Sequence, residues 1–462
     1  MAIKALTIDY HKINELSDSR LSPSYYYVDV FFERFNENVK TLEELGAEIS
    51  SGSYIDTYLE KEQGVAFIRV GNVKPFNMEE NEDNLRYVSL TLPEKIKVKE
   101  NDIILGRTQA VSDKLAVASI IDKDKENSVI SQHVSRIRIK SLSPYYLIAY
   151  LNSNFYKAQT ALATRGDTRV EMTHSQLKKV KIFIPKKDEL INIETAVKQI
   201  VDDNSKSLNL IKKAKLLFYK QVQFQTNKRK DKYSSVNYMD IKQSNNFVCT
   251  FYDPLFYNTL KDIKSKFKTV SLGEIANIIK GDEVGSSNYV DYLYKGENYV
   301  PFIRTSDVVN YEIDQYPDYF VSEKIYNELE QGFQNGDVLF TKDGKIGMVG
   351  MITENDKAII SSGFMGLRLN KRASDYGITP EYLFLALSIK EIGIYASKRR
   401  TVVASTIPHL RDERLKEIEI PILDKDTISE ITDLVRQAFK LKDEKKRLIA
   451  EVRETMDGYF KV

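Results

Sequence analysis

The sequence predicts an α+β chain built from two structurally related domains and two long helices. Three observations predict it. The same short words recur in the same order about 235 positions apart. Each copy closes on an amphipathic stretch far longer than an ordinary globular helix. Each globular part mixes short β-like runs with one or two helices, which is not the strand–helix alternation of a doubly wound nucleotide fold.

The repeat is carried by four blocks. Phe67-Ile68-Arg69 in GVAFIRVGNV recurs as Phe302-Ile303-Arg304 in YVPFIRTSDV, 235 positions later. Asn101-Asp102-Ile103-Ile104-Leu105 faces Gly336-Asp337-Val338-Leu339-Phe340 at the same offset. Pro144 and Tyr146-Leu147 face Pro380 and Tyr382-Leu383 at an offset of 236, and VKIFIP ending at Pro185 faces KEIEIP ending at Pro421, also at 236. A period this long exceeds the ~20–50 residues of solenoid repeats, so each copy is a whole domain plus something more. The sequences between the blocks differ, so the copies share a frame and not a surface.

After Pro185, the residues Leu190, Ile193, Ala196/Val197, Ile200, Leu208, Ile211 and Leu217/Phe218 lie at helical spacing. After Pro421, Ile428, Ile431, Leu434/Val435, Ala438, Leu448, Val452 and Met456 do the same. The first helix is expected from about Asp188 to Gln225, some 57 Å at ~1.5 Å per residue. Neither helix buries such a stripe alone. Packing against each other is one solution, and folding back onto the parent domain is the other. Thr226 to Asn246 is polar, partly basic and linker-like. The organisation is therefore a first domain at 1–186, a long helix at 187–226, a second domain at 227–424 and a second long helix at 425–462.

Bulk composition narrows the function. Of 462 residues, 42% are hydrophobic, with 28 Tyr and 21 Phe, enough for real cores. The net charge is only +2, whereas a chain gripping a long duplex alone would be more basic; any DNA contact is local or shared with partner subunits. The single Cys249 excludes an intramolecular disulfide framework and a thiolate zinc cluster, and His11, His133, His174 and His409 show no metal-ligand spacing. Without a signal-peptide core or ~18 consecutive apolar residues, the chain is expected to be cytoplasmic and soluble, with no membrane contact.

The blocks, taken in order, resemble the specificity subunit of type I restriction–modification systems. They comprise TLEELGAEISSG at Thr41 and SLGEIANIIKG at Ser271, the two FIR blocks, NDIILGR and GDVLFTKDG, and finally RVEMTHSQLKKVKIFIP and VVASTIPHLRDERLKEIEIP. Each closing block feeds a long helix, and the likeness runs from about Arg20 to Phe460. The resemblance implies two target-recognition domains, each reading half of a split DNA sequence, and an antiparallel coiled coil that fixes the gap and binds DNA adenine methyltransferase subunits. It also implies restriction/translocase partners, with S-adenosylmethionine, ATP and Mg used in those partners and no cofactor in this chain. The segment before Thr41, SRLSPSYYYVDVFFERF, is longer than the commonest arrangement and has a counterpart in FVCTFYDPLFYNTLKDIK.

Catalytic motifs are not expected. Asp253-Pro254-Leu255-Phe256 lacks the second proline of an amino-methylating loop, and no glycine-rich strand–turn–helix precedes it. There is no P-loop and no G-x-S-x-G elbow. Asp337 with Asp343 and Lys345 has the outline of a metal-dependent nuclease site. The repeat argues against that outline, because Asp102 matches Asp337 while Thr108 and Ala110 face Asp343 and Lys345. A shared aspartate belongs to the frame, where a polar turn suffices.

Sequence readout requires Arg, Lys, Asn, Gln and hydroxyl side chains at groove edges, with further cations on phosphates. In the first copy the candidates are Arg107, Thr108 and Gln109, then Arg165, Thr168, Arg169, Thr173, His174 and Gln176. In the second they are Lys342, Asp343 and Lys345, then Lys398, Arg399, Arg400, Thr401, Ser405, Thr406 and His409. Both main clusters fall between a helix and the final strand, with different contents. The shared Arg69 and Arg304 are expected to act structurally or on phosphate. For each of these residues a solvated surface side chain is the alternative. The expected function is a non-catalytic recognition subunit for a bipartite, non-palindromic target. The alternatives are a related modification or phage-exclusion system, and a coiled-coil scaffold that binds protein.

Overall fold

A computed structural model of the chain describes residues 38–81, 84–109, 117–163, 170–224, 235–244, 247–291, 298–404 and 407–459. The chain divides into two compact units, 1–202 with 447–462, and 203–446.

In the first unit, β1 (Val39–Thr41) pairs antiparallel with β12 (Lys181–Phe183). A five-stranded sheet runs β2 (Glu48–Ser51), β10 (Val134–Arg138), β6 (Ile103–Gly106), β8 (Ala118–Ile120), β4 (Phe76–Asn77). A three-stranded sheet runs β5 (Arg86–Val88), β3 (Val65–Ile68), β9 (Val129–Ile130). The short β7 (Thr108–Gln109) pairs with β11 (Val170–Glu171). Helix α1 (Pro144–Leu151) starts with proline at its first turn, where the missing N–H costs no hydrogen bond. Its residues Tyr146 to Leu151 are all buried, so the helix is apolar all round and forms the centre of the core. Helices α2 (Asn154–Ala163) and α3 (His174–Lys178) follow.

In the second unit, α5 (Pro254–Lys266) precedes β13 (Thr269–Ser271), which pairs antiparallel with β26 (Glu419–Pro421). One four-stranded sheet runs β14 (Ala276–Lys280), β23 (Phe364–Leu369), β20 (Val338–Thr341), β21 (Val349–Met351). The other runs β15 (Val290–Asp291), β19 (Tyr319–Ser322), β16 (Tyr299–Ile303), β22 (Ile359–Ile360). The hairpin β17 (Val308–Val309) to β18 (Glu312–Ile313) turns through Asn310 and Tyr311, both at positive φ (52° and 70°), a tight turn whose twist suits the strands. Phe76, at φ 64°, is the matching aromatic of the first copy. Helices α6 (Pro380–Ser388), α7 (Gly393–Arg400) and α8 (Asp412–Lys416) and the ribbon β24 (Val402–Ala404) to β25 (Ile407–His409) complete the unit.

The two expected long helices are α4 (Lys187–Val222, 36 residues) and α9 (Lys425–Gly458, 34 residues). The first ends three residues short of the expected Gln225. In the first unit, Ile193, Val197 and Ile200 of α4 join Val452 and Met456 of α9 in one core. In the second, Ile211, Ala214 and Phe218 join Ile428, Ile431, Val435 and Ala438. The early part of α4 meets the late part of α9 and vice versa, so the pair is antiparallel. Both solutions to the stripe operate at once, because each helix segment also packs on the domain core of its unit.

The shared words are frame. Asn101 and Gly336 take the left-handed turn (φ 67° and 89°) that Asn and Gly tolerate. The next residue, Asp102 or Asp337, is 2% exposed. Asp102 accepts from the Lys99 N–H at 2.7 Å and from Arg138 Nε and Nη2 at 2.7 Å each. Asp337 accepts from the Gln334 N–H at 2.8 Å and from Arg368 Nε and Nη2 at 2.8 and 2.7 Å. The nuclease outline therefore dissolves: the buried Asp337 carboxylate is committed to a two-point ion pair with a half-exposed arginine, and the first copy repeats it.

Tyr146 and Tyr382 donate to the carbonyls of Phe183 and Pro421, tying the core helix of each unit to its closing strand. This equivalence corrects the register of the closing block. Pro421 matches Phe183 and not Pro185, since β13–β26 and β1–β12 share one pairing scheme. Burial of the Tyr382 ring pushes its hydroxyl pKa well above the ordinary tyrosine range. Tyr382→Phe should cost about 1–3 kcal/mol by orphaning the Pro421 carbonyl, read as a lower urea midpoint with unchanged slope.

Candidate nucleic-acid interface

With the corrected register, sequence-distant candidates come together in the same place in each unit. In the first, β7 pairs with β11, setting Thr108 against Glu171, and the Met172 N–H donates to the Arg107 carbonyl at 3.1 Å. In the second, Asp343 bridges to His409, and the Leu410 N–H donates to the Lys342 carbonyl at 2.9 Å. The strand before the junction is fixed alike: the Arg107 N–H donates to His133 O at 2.9 Å, and the Lys342 N–H to Gly363 O at 2.8 Å.

The backbone is common and the side chains are not. Arg107 Nη2 lies 3.2 Å from Glu171 Oε1, and Thr108 Oγ1 lies 3.2 Å from His133 Nδ1. In the second unit Asp343 Oδ1 is hydrogen-bonded to His409 Nδ1. A further contact borders each junction. His174 Nε2 is 2.8 Å from Ser51 Oγ and 3.2 Å from Ser135 Oγ. At the matching positions Lys280 Nζ is 2.8 Å from Asp412 Oδ2. Ser51 and Lys280 are placed there by the glycine that follows. A Cβ on Gly52 would meet Ile130 O at 1.7 Å, and one on Gly281 would meet Ser361 O at 2.0 Å, so only glycine permits this close passage.

In this register His174 is equivalent to Asp412, and Glu171 to His409. Sequence reasoning missed Ser51, Glu171, Lys280 and Asp412. Their signal is faint: ISSG and IIKG are aligned words whose last residue before the glycine differs.

The remaining candidates divide by what holds them. Thr173 and Gln176 form a reciprocal capping box at the start of α3, with contacts of 2.8–3.2 Å, a sufficient structural reason for both. Arg69 begins a short 3₁₀ turn, its N–H donating to Asn72 Oδ1 at 3.0 Å. Arg304 does the same with Asp307 at 2.9 Å, pairs with Asp318, and lies 4.6 Å over the Tyr319 ring. The structural half of the expectation for these two arginines has this geometry.

Arg399 is sandwiched 3.9 Å over Phe251 and 5.0 Å over Tyr257, and its Nε donates to Phe251 O at 2.8 Å. Burial, then the neighbouring Arg400, lowers its pKa to about 10. Arg400 is bound to Glu417 at 3.2 Å, and Thr401 donates to Ser397 O at 2.8 Å. These three are occupied within the unit. Lys398 and Lys345 are exposed and Lys342 is half-buried. Gln109 sits in β7, with its side chain outside the described residues; Arg165, Thr168, Arg169, Ser405 and Thr406 lie outside them altogether.

The His174 pKa is lowered by burial first, then by Arg107 and Lys178. A depressed histidine stabilises the fold above its ordinary titration range, and that contribution is lost as pH falls through and below it. Wild type should therefore lose melting temperature between pH 7 and 5 more steeply than His174→Gln; parallel curves would contradict this. Among the described residues no group of three or more His, Cys, Asp or Glu could hold a metal, and no helix is long and apolar enough to cross a membrane.

Residues 264–454 match the family model described as "Type I restriction modification DNA specificity domain". Among solved structures, the chain is similar to the type I restriction-modification system S subunit from M. genitalium, at 15% identity and TM-score 0.37, covering 90% of this chain and 94% of that one. It is also similar to the HsdS subunit from Thermoanaerobacter tengcongensis, at 14% identity and TM-score 0.27, covering 90% and 96%. No curated protein matches it in sequence. The match to the specificity-domain model lies in the second copy and its long helix, and covers less than half of the chain.

Proposed function

We propose that the chain is the DNA-recognition subunit of a type I restriction–modification complex, reading a bipartite, non-palindromic target with one junction per unit. The observation that carries this is the pair of junctions. One backbone scaffold presents Arg107, Thr108, Glu171 and His174 in one unit and Lys342, Asp343, His409 and Asp412 in the other. Two readers of different half-sites need a common frame with different donors and acceptors at its edge. Adenine methylation with S-adenosylmethionine and ATP- and Mg-dependent cleavage fall to methyltransferase and restriction/translocase partners. The near-neutral charge supports shared electrostatic grip.

Single-molecule mapping of N6-methyladenine in host strains with and without the gene tests the reading. Deletion should abolish methylation at one split motif. A methylome unchanged by deletion would favour the protein-binding scaffold.

A further inference from the structure

The apolar stripes of α4 and α9 are interrupted at matching places. Along α4 the buried seam runs Ile193, Val197, Ile200, Asn204, Ser207, Ile211, Ala214, Phe218; along α9 it runs Ile428, Ile431, Val435, Ala438, Lys442, Lys445, Val452, Met456. Two successive seam positions are polar in each helix, and all four residues are at most 5% exposed. In sequence this is the gap between Ile200 and Leu208, and between Ala438 and Leu448.

Within the second unit this layer is wired to the β17–β18 hairpin. Lys445 Nζ donates to Asn204 Oδ1 of α4 at 2.9 Å and is ion-paired with Glu312 of β18. Lys442 Nζ lies 3.6 Å from the same carboxylate. Lys446 holds Asp356 at 2.6 and 2.8 Å and Thr353 at 2.9 Å. From the other helix, Lys215 Nζ donates to the Tyr311 hydroxyl at the hairpin turn, at 3.0 Å, and to Ser388 O at 3.0 Å. Burial alone would raise the Glu312 pKa, but the three lysines more than reverse it, so the carboxylate is charged.

Seams of Ile, Val and Ala are nearly interchangeable when one helix slides by a heptad, so apolar packing specifies axial register weakly. A buried lysine is different, because sliding removes it from its partners and leaves a charge in the core. We propose that Lys445, together with Lys442, is the register lock of the two long helices. It acts as a positioning residue that admits only the alignment in which Asn204 and Glu312 meet it together.

The alignment can be read chemically in the full-length chain. Gln221 Nε2 faces Thr427 Oγ1 at 3.1 Å, so Q221C with T427C reports the native register. Q221C with L434C, or A214C with T427C, reports a heptad slip in either direction. All are made with Cys249→Ser, since Cys249 is the only native thiol. The lock predicts that oxidation joins only the 221–427 pair in the otherwise native chain. Adding E312Q with K442M and K445M, which removes the lock's charges and keeps the layer filled, should raise slipped disulfides by more than about tenfold. If this variant does not fold, K445M alone is read instead; Glu312 then keeps Lys442, and the variant should give a smaller but measurable slipped fraction. A folded variant that still joins only 221 to 427 would overturn the proposal.

Discussion

Asp337→Ala is expected to destabilise the second unit by about 1–3 kcal/mol, the cost of removing a buried carboxylate from its charge-assisted hydrogen bonds with a half-exposed guanidinium. The carboxylate is 2% exposed and binds both Arg368 and the Gln334 N–H, so its removal strands a guanidinium and an amide donor together. Asp102→Ala should do the same in the first unit through Arg138 and the Lys99 N–H. Asp337→Asn keeps an acceptor for the Gln334 N–H and should lose less. Urea unfolding checks the order. Equal midpoints for wild type and Asp337→Ala would show that the shared aspartate is not a frame residue and would reopen a catalytic role for it.

The second large effect is on recognition. Asp343→Ala with His409→Ala removes the hydrogen-bonded side-chain pair of the second junction while leaving its backbone bridge. A lost base contact costs about 1–3 kcal/mol of discrimination, roughly five- to 150-fold. On the proposed function, discrimination by the assembled complex should fall by that factor at base pairs in one half-site and stay unchanged in the other. Competition binding with single-substituted duplexes at one fixed salt concentration measures it. Uniform weakening across all duplexes would instead mark the junction as a phosphate contact.

The repeat made the frame legible. Asp102/Asp337, Tyr146/Tyr382 and the paired FIR blocks stand at fixed offsets because each is held by backbone geometry that both copies need. Their partners were harder to see: Arg138 and Arg368 lie in SRIRIK and GLRLN, which look like any strand. The junction was not legible as an assembly, since His174 meets Ser51 across 123 positions and Asp343 meets His409 across 66. The closing block also misled. VKIFIP and KEIEIP align on their prolines, but strand pairing puts Phe183 where Pro421 is, and that shift hid the equivalence of Glu171 with His409. Arg399 and Arg400 look like DNA contacts because clustered cations usually face solvent; here aromatic rings and Glu417 draw them in.

The most direct measurement transplants one junction. Arg107, Thr108, Glu171 and His174 are replaced by the residues at the matching positions, Lys342, Asp343, His409 and Asp412, and N6-methyladenine is mapped across the host genome. The account predicts a methylated motif in which one half has changed and the other is intact. A folded, active complex with both halves unchanged, or with both altered, would contradict it.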